Sequence, residues 1–200
     1  MWVRVLRVVK NVLPILIYFV SIALLVNNIV LKRRIDALRH QPTLPIAAKA
    51  GQQLQDMTGF TLDGQPKKIK MRGRGSRLVV IAYSPGCPFC RANEKGWMVL
   101  SQALRRNGWT VIWLSRDPID ITMRHCVRAG IPKDDVVAEP TFQTYYQFAL
   151  ASVPSTTVVG PGGIIEKVWS GRLNAAGWQS LFTYLRLDES HDLVSTLIDP

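Results

Sequence analysis

Two cysteines, Cys87 and Cys90, enclose a Pro-Phe dipeptide at the point where the pattern of the chain changes from strand to helix. The uncharged run before them, 78–83, has the length and the β-branched content of a buried strand. The apolar residues after them recur at helical spacing, at Trp97, Leu100 and Leu104. The sequence therefore predicts that both sulfur atoms lie where a buried strand passes into the N-terminus of a helix.

This placement favours reversible thiol–disulfide chemistry. The first turn of a helix carries free backbone N–H groups and the positive end of the helix dipole, and both stabilise a thiolate and lower the pKa of a thiol. Two thiols one helical turn apart can also form a disulfide with little movement of the backbone. We therefore expect Cys87 and Cys90 to act as a redox pair rather than as two inert side chains.

Two other uses of the cysteine pair are less well supported by the sequence. A structural zinc site needs four ligands, and the chain has one further cysteine, Cys126, and three histidines, His40, His125 and His191. His125 and Cys126 are adjacent and therefore poorly placed to chelate one ion together. A structural disulfide within the pair would close a very short loop and would stabilise the fold weakly. We expect no metal site.

An uncharged stretch near the N-terminus, 11–31, predicts a transmembrane helix. About 20 apolar residues span the hydrocarbon core of a bilayer, and Lys10 and Lys32 close the two ends of this stretch. A cleaved signal peptide would have a shorter apolar region, of about 7–15 residues, with a small-residue cleavage site close behind it. The candidate cleavage site at 48–50 is far from residue 31, so we expect a retained anchor in the lipid bilayer.

The charge of the chain is unevenly distributed. The formal net charge is +11, and the first 40 residues contain seven basic residues and one acidic residue, which suits the flanks of a membrane anchor. Because basic residues stand on both sides of 11–31, the positive-inside rule does not fix its orientation. A second basic stretch, 67–77, contains two glycines and no aromatic residue. We expect a solvated loop there, with an acidic partner or lipid headgroups as the alternative contact, and no nucleic-acid partner.

The pattern as a whole divides the chain into a short cytoplasmic N-terminus (1–10), the anchor (11–31), a linker (32–50), one folded domain (51–187) and a C-terminal tail (188–200). Within the domain, strands alternate with helices, which predicts an α/β domain with a mixed sheet. Strands are predicted at 58–62, 78–83, 109–115, 155–159 and 164–169, and helices at 87–107, 118–130, 141–149 and 174–187.

The third cysteine, Cys126, falls on the apolar stripe of the helix predicted at 118–130. That stripe consists of Ile119, Met123, Cys126 and Val127. A free cysteine on such a face commonly behaves as a small buried hydrophobe. We therefore predict a core role for Cys126 rather than a redox role.

These elements, in this order, resemble the thioredoxin superfamily, in which a Cys-x-x-Cys pair begins the first long helix. Val153 and Pro154 stand before the strand 155–159, where thioredoxin-like proteins have a cis-proline. The resemblance covers 51–187 and implies a central mixed sheet flanked by helices, preceded here by one N-terminal transmembrane helix. A lead-in hairpin, the membrane anchor and a Pro-Gly-Gly turn at 161–163 make the resemblance more specific: the chain resembles membrane-anchored thioredoxin-like proteins of bacteria. These include reductases of cytochrome c maturation and the accessory protein of methylamine dehydrogenase maturation.

The resemblance also implies roles for individual residues. Cys87 would be the attacking thiolate and Cys90 the resolving thiol, and no metal or organic cofactor would be needed. Val153 and cis-Pro154 would bind an extended segment of the partner by strand addition. The strand 78–83 lacks the buried acid of thioredoxin. Glu94, one helical turn after Cys90, is a candidate for proton transfer, and the alternative interpretation, which the sequence favours, is a solvated helix residue.

A Gly also replaces the Trp that many relatives have before the first cysteine. This departure at Gly86 puts the usual docking surface of the superfamily in question.

The function that follows is reduction or isomerisation of disulfides in a partner protein, in the maturation of a secreted redox protein. The expected partners are protein thiols and disulfides, together with a membrane electron donor. A disulfide cycle suits an oxidising compartment, so the expected location is the bacterial inner membrane, single-pass, with the catalytic domain in the periplasm. The alternatives are a thioredoxin-like module that binds and assembles a client without turnover, and a peroxidase of the peroxiredoxin type.

Overall fold

The computed structural model describes residues 18, 20–33 and 47–187, which divide into two units between residues 43 and 44. In the first unit, residues 20–33 form an exposed helix. Within the described part of the chain, no helix is both long and apolar enough to cross a membrane.

Several sequence predictions fall outside the part of the chain that the structure describes. Residues 11–17 and 19 of the predicted anchor are among them, as is most of the predicted linker, 34–46. The predicted N-terminal segment 1–10 and the predicted tail 188–200 also lie outside it.

The second unit contains seven strands and four α-helices among its described residues. The strands are β1 Met57–Phe60, β2 Pro66–Ile69, β3 Leu78–Tyr83, β4 Thr110–Ser115, β5 Val136–Val137, β6 Ser155–Val159 and β7 Ile165–Ser170. The helices are α1 Pro88–Arg106, α2 Ile119–Ala129, α3 Phe142–Gln147 and α4 Ala175–Leu185.

The central sheet is mixed and has the strand order β5-β4-β3-β6-β7. Strand β3 is parallel to β4 and antiparallel to β6, and β6 is antiparallel to β7. In this register Tyr83 pairs with Ser115, Ala82 with Ser155, and Ser155 with Ser170. One edge of the sheet therefore contains the ends of β3, β4 and β7 and the start of β6. We call it the C-terminal edge of β3.

Strand β3 is the centre of the domain because all six of its residues are buried. Its side chains alternate between two cores, as a strand covered on both faces requires. Val79, Ile81 and Tyr83 pack in the core that contains α1 and α4, and the other three residues pack in the core on the opposite face. Burial on both faces explains why this segment reads as a continuous apolar run.

Helix α1 lies close to α4, and a glycine makes this possible. A Cβ atom added at Gly96 would lie 2.3 Å from Cζ2 of Trp178, which is far inside van der Waals contact. The indole of Trp178 therefore occupies the space that a side chain at position 96 would need. This contact helps to fix α1, and with it the cysteine pair, against the sheet.

The structure corrects three details of the sequence predictions. Residues 66–69 of the supposed basic loop form β2, an antiparallel partner of β1, because Ile69 is buried while the lysines between it and Pro66 remain at the surface. The two-residue strand β5 was not predicted. Val127 is 69% exposed, since α2 turns His125 and Cys126 toward the core instead. The core role of Cys126 is confirmed.

Candidate active site

Cys87 is the N-cap of α1, at the C-terminal edge of β3. Its backbone is extended, and its Sγ accepts a hydrogen bond from the Cys90 N–H at 3.4 Å. Pro88 follows at the first helical position, where its fixed φ suits the start of a helix and its missing N–H is not needed. A sulfur atom thus takes the place of the usual N-cap oxygen and faces the free N–H groups of the first turn.

Cys90 is buried, and only 3% of its surface is exposed. Its Sγ accepts a hydrogen bond from the Ser84 N–H at 3.5 Å. Burial raises the pKa of the Cys90 thiol to about 12, and the hydrogen bond with Cys87 also raises it. The hydrogen bond from the Ser84 N–H acts in the opposite direction and lowers this pKa. The sequence led us to expect a lowered pKa at this helix start, and for Cys90 the direction is the opposite because desolvation outweighs the helix terminus.

The two thiols therefore differ in access. Both are free in this structure, with Cys87 half-buried and Cys90 fully buried behind it. A partner can reach the sulfur of Cys87, whereas Cys90 is shielded from solvent and protonated at neutral pH. This geometry fits the attacking and resolving roles that the resemblance implies.

The Val153–Pro154 peptide bond is cis and lies beside Cys87. The Sγ of Cys87 is 4.0 Å from the carbonyl oxygen of Val153. Pro154 is buried, and its carbonyl accepts a hydrogen bond from the Gly171 N–H at 2.8 Å. The structure thus brings the cysteine pair, Cys87 and Cys90, next to the Val153–Pro154 segment. In the sequence, Val153 follows Cys90 by 63 positions.

Glu94 is half-buried and contacts a histidine that sequence reasoning did not connect with it. Its Oε2 lies 3.2 Å from Nε2 of the buried His125, whose Nδ1 lies 3.1 Å from a guanidinium nitrogen of Arg128. Burial lowers the pKa of His125, with Glu94 opposing this effect and Arg128 adding to it. The neutral imidazole with its proton on Nε2 satisfies both contacts, so Glu94 accepts from His125 at neutral pH.

Cys126 lies in a different environment, inside the core. Its Sγ is 3.4 Å from the hydroxyl of Tyr83, and both side chains are about 1% exposed. Burial raises the pKa of both groups. Across the described residues 47–187, no group of three or more His, Cys, Asp or Glu side chains is arranged to hold a metal ion.

Asn93 is a further residue that sequence reasoning missed. Its buried amide donates to the carbonyl of Gly171 at 3.0 Å and accepts from the N–H of Leu173 at 2.9 Å. These two bonds join α1, three residues after Cys90, to the loop between β7 and α4. A polar residue on the buried side of an amphipathic helix was the only available sequence signal, and its partner lies 78 residues away.

The comparisons with known proteins establish the fold. No family model and no curated protein matches the chain. Among solved structures, the chain is similar to a candidate protein disulfide isomerase from Bacteroides thetaiotaomicron, with 16% identity and a TM-score of 0.59 over 72% of this chain and 94% of that one. It is also similar to a candidate thiol:disulfide interchange protein from Chlorobium tepidum, with 16% identity and a TM-score of 0.58 over 70% and 99%.

A third similar structure is a peroxiredoxin-like protein from Aquifex aeolicus, with 14% identity and a TM-score of 0.53 over 75% of this chain and 90% of that one. The domain therefore has the thioredoxin-like α/β fold, and the fold class predicted for 51–187 is confirmed. At these identities the similarity shows the fold, so the chemistry has to be argued from the site.

Proposed function

We propose that the chain is a thiol–disulfide oxidoreductase that reduces or isomerises disulfides of a partner protein. The single observation that carries this proposal is the arrangement of the two thiols. A half-buried sulfur, that of Cys87, caps a helix, and the buried thiol of Cys90 follows one turn later. The N–H of Cys90 donates a hydrogen bond to the sulfur of Cys87, so the two side chains are close enough to form a disulfide with little change in the backbone.

The reaction proceeds in two exchange steps. The Cys87 thiolate attacks a partner disulfide, a Cys87–partner disulfide forms, and the other partner sulfur leaves as a thiolate. Cys90 then loses its proton and attacks the Cys87 sulfur, so that the Cys87–Cys90 disulfide forms and the partner is released. Two electrons pass from the pair to the partner, and a membrane electron donor restores the two thiols. Isomerisation follows when the freed partner thiolate attacks a different partner disulfide.

Val153 and Pro154 form the proposed binding site for the partner. The carbonyl of Val153 is adjacent to the attacking sulfur, and Val153 is half-buried between the exposed Ser152 and the buried Pro154. An extended partner segment that pairs with the backbone here would bring its disulfide to Cys87. Recognition through backbone groups places few demands on the side chains of the partner.

Glu94 is the proposed acceptor of the proton that Cys90 loses. It follows Cys90 by one turn on α1, and it is half-buried rather than fully solvated. Its carboxylate contacts the buried His125, so it lies at the border of the core. A group that takes up this proton would convert Cys90 into the nucleophile of the second step.

We further propose that residues 11–31 anchor the chain in the bacterial inner membrane, with the domain in the periplasm, where it takes part in maturing a secreted redox protein. The uncharged stretch between basic flanks supports the anchor. A tether would raise the effective concentration of the domain near membrane-bound partners. An enzymatic reporter fused after Pro200 should be active in the periplasm, and a reporter active only in the cytoplasm would contradict this topology.

An insulin disulfide-reduction assay tests the catalytic proposal. The purified 200-residue chain should accelerate reduction, and Cys87→Ser should remove the acceleration. Equal rates with the wild type and Cys87→Ser would instead favour a module that binds a client without turnover. Consumption of hydrogen peroxide faster than disulfide exchange would favour a peroxidase.

A further inference from the structure

Three exposed arginines stand on segments that meet near the cysteine pair, and each segment comes from a different part of the chain. Arg91 is in the first turn of α1, Arg116 directly follows β4, and Arg172 follows β7. We call these residues the arginine rim. Because the ends of β3, β4 and β7 meet at the C-terminal edge of β3, the topology places all three on the surface that a partner disulfide must approach.

Arg172 is held at this surface by the neighbouring backbone. Asn93 of α1 bonds to Gly171 and to Leu173, the residues on either side of Arg172. The N–H of Gly171 also donates to the carbonyl of Pro154 at 2.8 Å. The backbone of Arg172 is therefore fixed between α1 and the cis-proline segment.

Arg116 is held on the other side of the same segment. Its guanidinium donates to the carbonyl of Leu150 at 3.4 Å, and Leu150 belongs to the turn that leads into Val153. Its positive charge also acts on the thiol of Cys90 and opposes the effect of burial. Arg116 is therefore near both the partner-binding segment and the buried thiol.

Arg91 completes the rim on α1. Its backbone N–H donates to the carbonyl of Cys87 at 3.1 Å, and its side chain is exposed. Among the described residues, neither Arg91 nor Arg172 has a carboxylate partner.

Among the described residues, no carboxylate forms an ion pair with an arginine of the rim. Glu94 pairs with His125, and Asp120 pairs with Arg124 at 3.0 Å. Glu139 accepts from the N–H of Ile119 at 3.0 Å, and Asp117 has one buried carboxylate oxygen that accepts no hydrogen bond. Because none of the three guanidinium groups forms an ion pair in the described part of the chain, each can pair with a carboxylate of a partner.

The centre of the same surface is apolar. Phe89, between the two cysteines, is 59% exposed, and Val153 is half-buried beside Cys87. Gly86 has no side chain, and a Cβ placed there would have no neighbour within 4 Å. Phe89 therefore supplies an apolar contact next to the space that the missing tryptophan leaves open.

From this juxtaposition we infer that the arginine rim selects partner segments that carry acidic residues on either side of the reactive cysteine, with an apolar residue next to it for Phe89. This inference rests on the proposed function and specifies its substrate class. Charges at the rim of an interface mainly change the rate of encounter and its dependence on salt, and they act over a Debye length of about 8–10 Å. Selection should therefore appear in kcat/KM at low ionic strength.

Three peptides of one design test the inference. Each contains the same quenched disulfide and the same apolar neighbour, and the flanking residues are aspartates, serines or lysines. With the 200-residue chain kept reduced by dithiothreitol at low salt, and with the rate without the chain subtracted, kcat/KM for the acidic peptide should exceed that for the serine peptide by about tenfold, and the lysine peptide should be slowest. In 0.5 M NaCl, an experimental choice that brings the Debye length to roughly 4 Å, the three values should converge.

Charge-reversal variants localise the effect. Arg91→Glu and Arg172→Glu should each lower kcat/KM for the acidic peptide several-fold and spare the serine peptide. Arg116→Glu also changes a charge that acts on the Cys90 thiol, so it should lower kcat/KM for both peptides, and more for the acidic one. The matched control is Lys133→Glu, because Lys133 is exposed on the turn before β5, at the opposite end of the parallel strands. It makes the same change in net charge and should have no effect.

The outcomes separate the inference from the proposed function. If all three peptides are reduced with the same kcat/KM at low salt, the inference is overturned and the oxidoreductase stands. If none is reduced, the proposed function fails and the inference falls with it. If Lys133→Glu reduces the acidic preference as much as the rim variants do, net charge rather than the rim is responsible, and the inference is again overturned. The comparison of peptides uses the wild type, so it holds even if one variant fails to fold.

Discussion

The domain contains two successive strand–helix units, β3–α1 and β4–α2, and each contains cysteine. In the first unit Cys87 caps the helix and Cys90 lies one turn later. In the second unit Pro118 precedes the helix without a side-chain cap bond, and Cys126 is near the far end of the helix, against Tyr83. Both Cys90 and Cys126 are buried, and burial raises the pKa of both thiols.

The two units therefore differ in whether a partner can reach a thiol, and not in the burial of Cys90 and Cys126. Cys90 has a half-buried thiol as a neighbour, and this neighbour can carry the exchange to the surface. Cys126 has a tyrosine hydroxyl as a neighbour and no described route to a partner thiol. We therefore expect the position of a cysteine relative to a helix terminus to decide whether its thiol takes part in the proposed exchange.

The largest effect that the comparison predicts is that of Cys90→Ser. Without the proposed resolving thiol of Cys90, turnover should fall by roughly a thousandfold, because Cys87 and Cys90 act as a unit in the proposed reaction. A Cys87–partner disulfide should accumulate and be visible on a non-reducing gel. The corresponding change in the second unit, Cys126→Ser, should trap no partner. Trapping by both variants would remove the distinction between the two units.

The second prediction concerns alkaline pH. Burial raises the pKa of Cys90 from 9.0 to about 12, so the folded state binds this proton more tightly than the unfolded state. Its contribution to the free energy of unfolding is complete below pH 9 and is lost as the pH rises toward 12. The reduced wild type should lose about 3 kcal/mol more than Cys90→Ala over this range.

Urea denaturation of the reduced wild type and of Cys90→Ala at each pH measures this difference. Titration of Tyr83 and of other groups common to both chains cancels in the comparison. Parallel stability curves for the two chains between pH 9 and 12 would show that burial does not hold the proton on Cys90.

A smaller effect is expected for Glu94→Gln. If Glu94 accepts the Cys90 proton, the amide should slow the second exchange step by about tenfold at pH 7, with solvent replacing part of its role. The loss should shrink as the pH rises, because hydroxide can take the same proton. Glu94→Asp should recover part of the rate, and Asp63→Asn, in the exposed β1–β2 turn, is the control. A rate loss independent of pH would indicate a structural role through His125.

The smallest change in exchange rate is expected for Cys126→Ala. The variant should leave disulfide exchange within about twofold of the wild type and lower the free energy of unfolding by about 1 kcal/mol, because it removes one buried atom and a contact with Tyr83. Thermal denaturation and the insulin assay measure the two effects. A large loss of activity at unchanged stability would give Cys126 a redox role.

Much of the fold was predictable because its central elements have strong local patterns. Strand β3 is buried on both faces and α1 has a clear apolar stripe, so each could be read from its own segment. Strand β2 lacked such a signal, since lysines occupy positions 67 and 68 and pairing with β1 defines it. Strand β5 has two residues, which is too short for any periodicity to appear.

The candidate site was predictable only in part, for a related reason. Cys87 and Cys90 form a local motif, and the resemblance supplied Val153 and Pro154. The pairing of Glu94 with His125 joins two helices through residues that are 31 positions apart, and no local pattern marks this pairing. The convergence of Arg116 and Arg172 on the cysteine pair depends on the strand order of the sheet, which single segments do not encode.

The most direct test of the account is to equilibrate the chain in glutathione buffers of increasing potential, quench it with acid, alkylate it after unfolding, and determine the mass and the labelled positions. We expect Cys87 and Cys90 to lose the label together, in one transition of two electrons, while Cys126 keeps the same state at every potential. Labelling of Cys87 and Cys90 that does not change with potential, or that changes for one of them alone, would contradict the account.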